Sequence, residues 1–305
     1  MESLLLKART ESDELLTLRS LNIRTDLTTK EKFHYQNLER GYEGELRFDS
    51  MIEDLSEERY IINDLLLEVN NSFFQIDTLL ISQGIIHPLD IKNFQGDCYL
   101  RSDNLYSVTT GREYKNPINQ LNRSASLFRQ LLQNLHQHFL VDASIIFINP
   151  EFTLYQAPLE QPFILPTQIN RFLRDLNKGS SQLNDGHRKL AQKLLELHQP
   201  KHPFAKLPVY TYEKLKKGTF CKNCKSFRIT IKHHHLVCNN CGVQEKIDQA
   251  ILRNVKEFCL LFPNHKITTQ AIYDWCKLDL CKRTYTRALK TNYNTIGSTK
   301  NTYYK

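Results

Sequence analysis

The sequence contains no apolar run that approaches the length of a membrane span, which takes about 20 consecutive apolar residues. A secretory signal is also missing, because the first residues, MESLLLKARTESDELL, hold too short an apolar stretch and too many acids. These absences argue against a membrane-embedded or secreted protein. We therefore expect a cytoplasmic protein that has no membrane partner.

Cysteine is almost absent from the first 200 residues, where Cys98 stands alone. The other seven of the eight cysteines lie between residues 201 and 305. Disulfides are rare in chains that are not secreted, so clustered cysteines in such a chain favour a bound metal ion.

Basic residues are also outnumbered by acids in the first 200 residues, whose net charge is −6. Residues 201–305 carry 20 lysines and arginines against 6 acids, a balance of +14 that brings the whole chain of 305 residues to +8. The basic third favours a polyanion as partner, and the acidic part suits a metal site. A solubilising surface would leave the same imbalance, so charge alone does not decide.

Charged residues interrupt two apolar runs, Phe73–Ile81 and Ile85–Ile91, that predict a β-hairpin. An acid inside a strand is costly unless it is paired or bound to a metal ion. Asp90 and Lys92 are two residues apart and share a face, and Asp77 can face them from the neighbouring strand. Two carboxylates beside an ammonium group predict a divalent-cation site suited to phosphodiester cleavage. The alternative is a salt-bridged hairpin at a sheet edge.

A helix predicted from residues 28–29 to about residue 55 carries Glu45 on its apolar face. Gly41 and Gly44 flank this acid, and each costs about 1 kcal/mol in a helix relative to alanine. Such glycines would let another backbone approach and bring Glu45 toward a shared site. The alternative is a salt bridge to an arginine of the same helix.

Four motifs, in this order along the chain, resemble the nuclease-related domain (NERD) family: GYEGE at 41–45, QIDTLLI at 75–81, LDIKNFQGD at 89–97 and NPINQ at 116–120. That family is placed with the restriction-endonuclease-like folds, whose signature is PD-(D/E)xK. The resemblance covers roughly residues 35–150. It implies an α/β fold with a restriction-endonuclease-like mixed sheet flanked by helices. By this resemblance the active-site positions are Glu45, Asp77, Asp90, Lys92 and Gln120.

In these roles Asp77 and Asp90 would hold Mg²⁺ or Mn²⁺, hard cations that take oxygen ligands. Asp90 stands where the family more often has Glu. The backbone carbonyl of Ile91 is a further candidate ligand, and Glu45 would complete the metal shell or hold a water molecule.

The remaining two positions would act on water and phosphate. Lys92 would orient or help to deprotonate the attacking water and stabilise charge on the phosphate. Gln120, a neutral donor and acceptor, would position a water molecule or a backbone phosphate.

Two CxxC pairs, Cys221 with Cys224 and Cys238 with Cys241, are separated by thirteen residues. This is the spacing of a structural Zn²⁺ site, and Gly242 suits the tight turn after the last ligand. Short strands predicted between the pairs indicate a zinc ribbon. A disulfide pair or a redox centre is the alternative.

Three helices are predicted after the ribbon, at about 246–261, 268–275 and 281–293, followed by a β-wing at 295–304. This order resembles a winged helix-turn-helix, whose basic third helix would sit in a DNA groove. The alternative is a small helical domain that binds protein and exposes a solvated basic face. The candidate nucleic-acid-binding residues are Lys282, Arg283, Arg287 and Lys290.

The sequence thus predicts a metal-dependent nuclease that hydrolyses phosphodiester bonds of DNA, with nucleic acid as its partner. The alternatives are a catalytically inactive DNA-binding or regulatory protein on a nuclease-like scaffold, and an assembly module that binds protein. The expected segments are an N-terminal helical arm (1–34), a NERD domain (35–150), a helical extension with linker (151–208), a zinc ribbon (209–245) and a winged-helix-like domain (246–305).

Overall fold

The computed structural model describes residues 4–101, 104–200, 207–298 and 301–305. Its contacts divide the chain into two units: residues 1–11 with 36–204, and residues 12–35 with 205–305. The first boundary after residue 35 lies inside a long helix. The five segments expected from the sequence stay a prediction, and part of the predicted linker, residues 201–206, lies outside the described ranges.

In chain order the elements are β1 (Leu4–Lys7), α1 (Asp13–Arg24), α2 (Thr29–Ile52), β2 (Tyr60–Val69), β3 (Ser72–Ile81), β4 (Ile85–Lys92), β5 (Gly96–Arg101), β6 (Asn104–Ser107), β7 (Glu113–Tyr114), α3 (Pro117–Asn134), β8 (Leu140–Val141), β9 (Ser144–Phe147), β10 (Phe152–Tyr155), β11 (Phe163–Ile164), a 3₁₀ turn (Pro166–Gln168), α4 (Ile169–Lys178), α5 (Asp185–Leu197), β12 (Ile229–Lys232), β13 (His235–Cys238), β14 (Gln244–Lys246), α6 (Ile247–Leu261), α7 (Thr269–Cys276), α8 (Lys282–Asn292), β15 (Thr295–Ile296) and β16 (Tyr303–Tyr304).

The main sheet of the first unit has the strand order β1-β2-β3-β4-β9-β11, and β8 also pairs with β4. Strands β2, β3 and β4 run antiparallel, whereas the pairs β1–β2, β4–β9 and β9–β11 are parallel. The predicted hairpin β3–β4 therefore lies inside the sheet, where both strands have a partner on each side. This position excludes the edge-hairpin alternative.

Helices cover both faces of this sheet. Phe48 of α2 and Ile169 of α4 pack against Leu80 on one face. Phe128 of α3 and Leu194 of α5 pack with Leu79 on the other face. Adjacent strand residues thus enter different cores, as strand alternation requires. The predicted α/β class, a mixed sheet flanked by helices, is confirmed.

The β2–β3 ladder is interrupted at one position. It pairs Asn63 with Thr78 and then Leu65 with Ile76. The two residues between them, Asp64 and Asp77, are not paired in the ladder, although the register is the same on both sides. Asp64 has a positive φ of 51°, which is uncommon for a residue with a side chain. The interruption reverses which face each strand presents, because Ile62 and Leu65 enter the same core although they are three residues apart. Both acids thus lie at a distorted point of an otherwise regular sheet.

The first apolar residues of the chain form a strand where the sequence predicted a helical arm. Leu4 and Leu5 pair in parallel with Tyr60 and Ile61, so the backbone of β2 supplies the hydrogen bonds. The helical part of this arm follows as α1, capped by Ser12, whose side chain accepts the Leu15 N–H. Strands β5 and β6 pair antiparallel in a second sheet. Residues 102–103, between these two strands, lie outside the described part of the chain.

The second unit gathers the ribbon strands β12–β14 and the helices α6, α7 and α8 around one hydrophobic core, which α1 also joins. Leu21 of α1, Leu236 of β13 and Trp275 of α7 all belong to this core. Arg24 is buried against this core. Its guanidinium carbon lies 4.0 Å from the Trp275 ring centre, and its Nη2 lies 2.5 Å from Glu257 Oε2. The two C-terminal segments predicted from the sequence therefore pack as one body.

The last helices follow the predicted order. Thr268 caps α7 by accepting the Ala271 N–H, and Lys277 ends that helix in the left-handed conformation at φ 46°. Strands β15 and β16 pair antiparallel at the predicted wing, although residues 299–300 between them are not described. Among the helices of the described residues, none combines the length and apolar character needed to cross a membrane.

Candidate active site and metal centre

Asp77 and Asp90 face each other across β3 and β4. The ladder pairs Thr78 with Leu89, which makes the two aspartates the next residues in register on one face. The Ile91 N–H donates to Asp77 Oδ2 at 2.8 Å. The two carboxyl groups also lie close enough for a hydrogen bond when one of them carries a proton. The structure therefore brings these two candidate residues together.

Lys92 joins the pair from the same face of β4. Its Nζ donates to Asp90 Oδ1 at 2.8 Å and to Gln120 Oε1 at 3.4 Å. Burial lowers the pKa of Lys92, but Asp90 and Asp77 more than offset this effect and hold the pKa above its ordinary value. The ammonium group consequently stays charged at any physiological pH.

Gln120 reaches the site from the first turn of α3. That helix begins at Pro117, and the Asn116 side chain caps it by accepting the Ile118 N–H at 2.9 Å. The cap fixes the direction of the first turn, and this places Gln120 beside Lys92.

One buried oxygen of Asp90, Oδ2, receives no hydrogen bond from the described residues when both aspartates are ionised. Burial raises the pKa of Asp90 to about 7, with a further rise from Asp77 and an opposing effect of Lys92. An orphaned buried carboxylate oxygen is unfavourable by itself, and carboxylate oxygen is what a hard divalent cation binds. The donor set of Asp77 and Asp90 thus fits such an ion.

Glu45 approaches the site from α2, and Gly44 makes that approach possible. A Cβ atom at Gly44 would lie 2.6 Å from Cβ of Asn93 and 3.0 Å from Cγ2 of Ile148, so only glycine fits. Asn93 in turn donates from Nδ2 to the Arg40 carbonyl at 2.7 Å. The predicted close approach is therefore found at Gly44 but not at Gly41, which has nothing within 4 Å of its Cβ position.

Glu45 does not join the two aspartates directly. Its Oε2 accepts from Arg9 at 3.0 Å, so its ion pair is with an arginine that precedes α1 and not with one of its own helix. Burial and the charge of Asp77 raise the pKa of Glu45 to about 8 against the attraction of Arg9. Over the described ranges, the ligand atoms of Glu45, Asp77 and Asp90 do not form a group with all members within 4.8 Å of one another.

Arg9 is the residue of this site that sequence reasoning missed. Its side chain is only 1% exposed and contacts Asp49 and Asp64 as well as Glu45. It lies outside the four motifs, and the apolar residues before it gave a helical signal. No local pattern in the sequence indicates that the segment after β1 places an arginine in the acidic cluster.

The four cysteines of the second unit form a compact cluster. The Sγ atoms of Cys221 and Cys241 lie 3.6 Å apart, and those of Cys224 and Cys238 lie 3.5 Å apart. Four sulfurs at about 2.3 Å from a central Zn²⁺ in a tetrahedron would be about 3.8 Å apart. All four Sγ atoms lie within 4.8 Å of one another, so the cluster fits a zinc ribbon and could hold zinc.

The two CxxC turns have the same construction. The N–H of Asn223 donates to Cys221 Sγ, and the N–H of Asn240 donates to Cys238 Sγ, both at 3.4 Å. The residue after each second cysteine is left-handed, with φ 59° at Lys225 and 74° at Gly242. The predicted turn at Gly242 is thus present, and Lys225 adopts the same conformation without being glycine.

Backbone N–H groups also favour the thiolate form at the second cysteine of each turn. Hydrogen bonding by Ser226 lowers the pKa of Cys224 to about 6, and hydrogen bonding by Val243 lowers the pKa of Cys241. Thiolate is the form that binds metal. His233 and His234 lie at the turn between β12 and β13, and His235 begins β13; all three are outside this group of four.

The basic residues of α8 divide into two sets. Arg283, Arg287 and Lys290 are exposed at positions i, i+4 and i+7, opposite the buried side chains of the helix. Lys282 is also exposed, but its Nζ lies 5.3 Å from the Tyr273 ring centre. The structure therefore aligns three of the four candidate residues in one stripe and sets the fourth apart.

A mixed sheet between helices, with two aspartates and a lysine meeting on one face of its inner strands, defines an α/β domain with an acidic site. Residues 40–148 match the family model of the nuclease-related domain, NERD, and all four motifs fall within that match. The chain thus carries a nuclease-related domain, as its motifs predicted. No curated protein and no solved structure matches the chain.

Proposed function

We propose that this chain is a nuclease of the PD-(D/E)xK type that uses Mg²⁺ or Mn²⁺ to hydrolyse phosphodiester bonds of DNA. The observation that supports it most is the unpaired buried Oδ2 of Asp90. This oxygen lies beside Asp77 and next to a charged Lys92, within the nuclease-related domain. A hard cation would satisfy the orphaned oxygen and offset the repulsion of two adjacent carboxylates.

Asp77 and Asp90 are the residues that would hold the ion. A residue in an antiparallel pair turns its N–H and its C=O toward the same neighbouring strand. Because the Ile91 N–H points to Asp77, its carbonyl faces the same strand, which supports Ile91 as a further ligand. The bound ion supplies Lewis acidity and makes water a better nucleophile near neutral pH.

Lys92 and Gln120 form the polar wall beside this pair. Lys92 orients the attacking water and stabilises the negative charge that develops on the phosphate, because its ammonium group stays charged. Gln120, which accepts from Lys92, fixes that ammonium group and can position a phosphate oxygen. Glu45 lies close enough to Asp77 for the charge of Asp77 to raise its pKa, and Arg9 orients its carboxyl group.

The second unit binds the nucleic acid in this proposal. Zn²⁺ held by the four cysteines stabilises the ribbon. The helices α6–α8 with the sheet β15–β16 act as a winged helix-turn-helix, and α8 contacts DNA phosphates and bases. The stripe of Arg283, Arg287 and Lys290 supplies the positive charge for these contacts.

The test is cleavage of plasmid, linear and single-stranded DNA and of RNA with Mg²⁺ or Mn²⁺. We expect Asp77→Ala and Lys92→Ala to lower the rate at least about 100-fold, since each removes a group that acts at the reacting phosphate. The exposed pair Asp175 and Lys178 offers a matched control of the same two residue types. Asp175→Ala and Lys178→Ala should keep full activity, and cleavage that survives Asp77→Ala and Lys92→Ala would contradict the assignment.

A second candidate function is a DNA-binding protein on a nuclease-like scaffold without turnover. The ion pair between Arg9 and Glu45 favours it, because a carboxylate held by a buried guanidinium is not free to bind an ion. This candidate predicts salt-dependent DNA binding with no cleavage under any divalent ion. The same assay therefore separates the two.

A further inference from the structure

We propose that Arg9 takes the place of a second metal ion, so that the site binds one divalent cation at Asp77 and Asp90 and uses a guanidinium group as its other cation. The inference rests on the proposed metal site, and it assigns a positioning role to a residue outside the nuclease-related segment 40–148.

The contacts of Arg9 are those of a cation among carboxylates. Nε and Nη2 bind the two oxygens of Asp49 at 2.8 and 3.0 Å. Nη1 donates to Glu45 at 3.0 Å and to Asp64 at 2.7 Å. A planar guanidinium with a fixed fork of donors suits such a set of planar carboxylates. Three acids from two different elements thus converge on one positive group.

The same guanidinium also donates hydrogen bonds to β3 where the β2–β3 ladder is interrupted. Nη2 donates to the Asp77 carbonyl at 3.0 Å and to Thr78 Oγ1 at 2.9 Å. The Asp77 carbonyl lies at the point where the β2–β3 ladder is interrupted, and a buried carbonyl needs a partner. Since every nitrogen of the group is engaged and the side chain is 1% exposed, no room is left for an ion at this position.

The segment that carries Arg9 is fixed on both sides. Lys7 donates from Nζ to the carbonyls of Asn63 at 2.8 Å and Asp64 at 3.1 Å. The Thr10 N–H donates to the other oxygen of Asp64 at 3.1 Å. Arg9 is therefore held in place by its neighbours in sequence and cannot swing out without breaking these bonds.

Arg9 and Lys92 form ion pairs with different acids of the site. Arg9 takes Glu45, Asp49 and Asp64, whereas Lys92 takes one oxygen of Asp90. The buried oxygen that lacks a partner is on the Lys92 side. The geometry thus leaves one place for an ion, next to Asp90, and fills the other with protein.

A purely structural salt bridge is the competing account of Arg9. It predicts that removing Arg9 lowers stability and leaves the number of bound ions unchanged. Our proposal predicts that a small neutral residue at position 9 opens a second ion position among Glu45, Asp49 and Asp64. A lysine there would keep the positive charge and keep that position closed.

The experiment counts Mn²⁺ ions bound to the zinc-loaded full chain by calorimetric titration and by electron paramagnetic resonance. Mn²⁺ prefers oxygen ligands, so the cysteine cluster does not compete for it. We expect one Mn²⁺ per wild-type chain, two for Arg9→Ala and one for Arg9→Lys. Arg59→Ala is the matched control, because Arg59 is also buried but donates to the carbonyls of Leu176 and Gly179. It should bind one ion.

Two results would overturn the proposal. One is a wild-type chain that binds two ions, both of which Asp90→Asn removes. The other is a folded Arg9→Ala, or Arg9→Gln if the alanine variant does not fold, that binds one ion with wild-type affinity. Mn²⁺ binding that is untouched by Asp77→Asn and Asp90→Asn would instead remove the proposed metal site itself, so the two failures are distinguishable.

Discussion

The chain contains two candidate metal sites that are assembled in different ways. The cysteine cluster comes from two turns whose ligands are three positions apart, and its four sulfurs lie within 4.8 Å of one another. The acidic site draws on β3, β4, α2 and α3 and on an arginine far away in sequence. A soft site is thus specified locally, whereas the hard site depends on the packing of a whole domain. The two should respond differently to mutation, pH and metal removal.

The largest expected effect is loss of zinc from the second unit. Cys238→Ser, or a chelator, should unfold the ribbon, because structural Zn²⁺ contributes about 10 kcal/mol or more to folding in small metal domains. Trp275 is the single tryptophan of the chain and lies in the core shared with the ribbon, so its fluorescence reports on this unit. Elemental analysis should find zinc in the wild type and in Cys281→Ser, an exposed cysteine outside the cluster. Native Trp275 fluorescence in a zinc-free protein would contradict this prediction.

The next effect concerns the ion pair beneath the same core. Arg24→Ala leaves Glu257 charged, buried and unpaired, and should lower the free energy of unfolding by about 3–5 kcal/mol. Urea unfolding followed by Trp275 fluorescence measures it. Replacing both partners, as in Arg24→Met with Glu257→Leu, should cost clearly less, since no isolated charge remains. An equal loss in the single and double variants would argue against a charge effect.

The two glycines of α2 near the acidic site, Gly44 and Gly41, allow a matched comparison of the same substitution. Gly44→Ala should destabilise the first unit by about 1–3 kcal/mol and weaken Mn²⁺ binding, because the added Cβ meets Asn93 and pushes α2 from β4. Gly41→Ala has open space and should gain up to about 1 kcal/mol from helix propensity. Thermal unfolding with and without Mn²⁺ compares them, and equal shifts in both variants would contradict the close approach.

The stability of the metal-free acidic site should fall as the pH rises. Asp90 ionises near pH 7 in the folded chain but near 4 when unfolded, so between these values the folded state holds the extra proton. The free energy of unfolding then decreases by at most about 1.4 kcal/mol per pH unit for this group, and levels off above pH 7. Asp90→Asn should flatten the profile relative to the wild type in urea titrations from pH 5 to 8.5. A wild-type profile as flat as that of Asp90→Asn would contradict the raised pKa.

The smallest effect is on the salt dependence of DNA binding. Each phosphate contact adds about 0.9 to the magnitude of the slope of log affinity against log salt. Arg283→Ala and Arg287→Ala should each lower that magnitude by about 1, whereas Lys282→Ala should change it less because its ammonium group lies by Tyr273. Fluorescence anisotropy at several salt concentrations measures the slopes. Equal slopes in all variants would favour a protein-binding role for α8.

The parts of both sites that the sequence predicted are those that follow from a short period or spacing. Asp90 and Lys92 share a face because strands alternate, and Gly44 marked the close approach of α2. The cysteine cluster was predicted from the spacing of its residues. In each case the physical rule acts over a few residues.

What the sequence did not predict depends on partners that are distant along the chain. Arg9 binds residues 36 to 69 positions away, and the ladder break that needs its donors appears only once β2 and β3 pair. The strand at the N-terminus was mistaken for a helix for the same reason, since pairing with β2 decides its conformation. The core common to α1, the ribbon and α6–α8 is likewise a tertiary feature.

A crystal of the zinc-loaded chain soaked in Mn²⁺ tests the central claim most directly, through anomalous scattering at the manganese edge. We predict one manganese peak in the first unit, within coordination distance of Asp77 and of the buried oxygen of Asp90, with Arg9 still bound to Glu45. A first unit without such a peak, or with the ion bound away from both aspartates, would contradict the account.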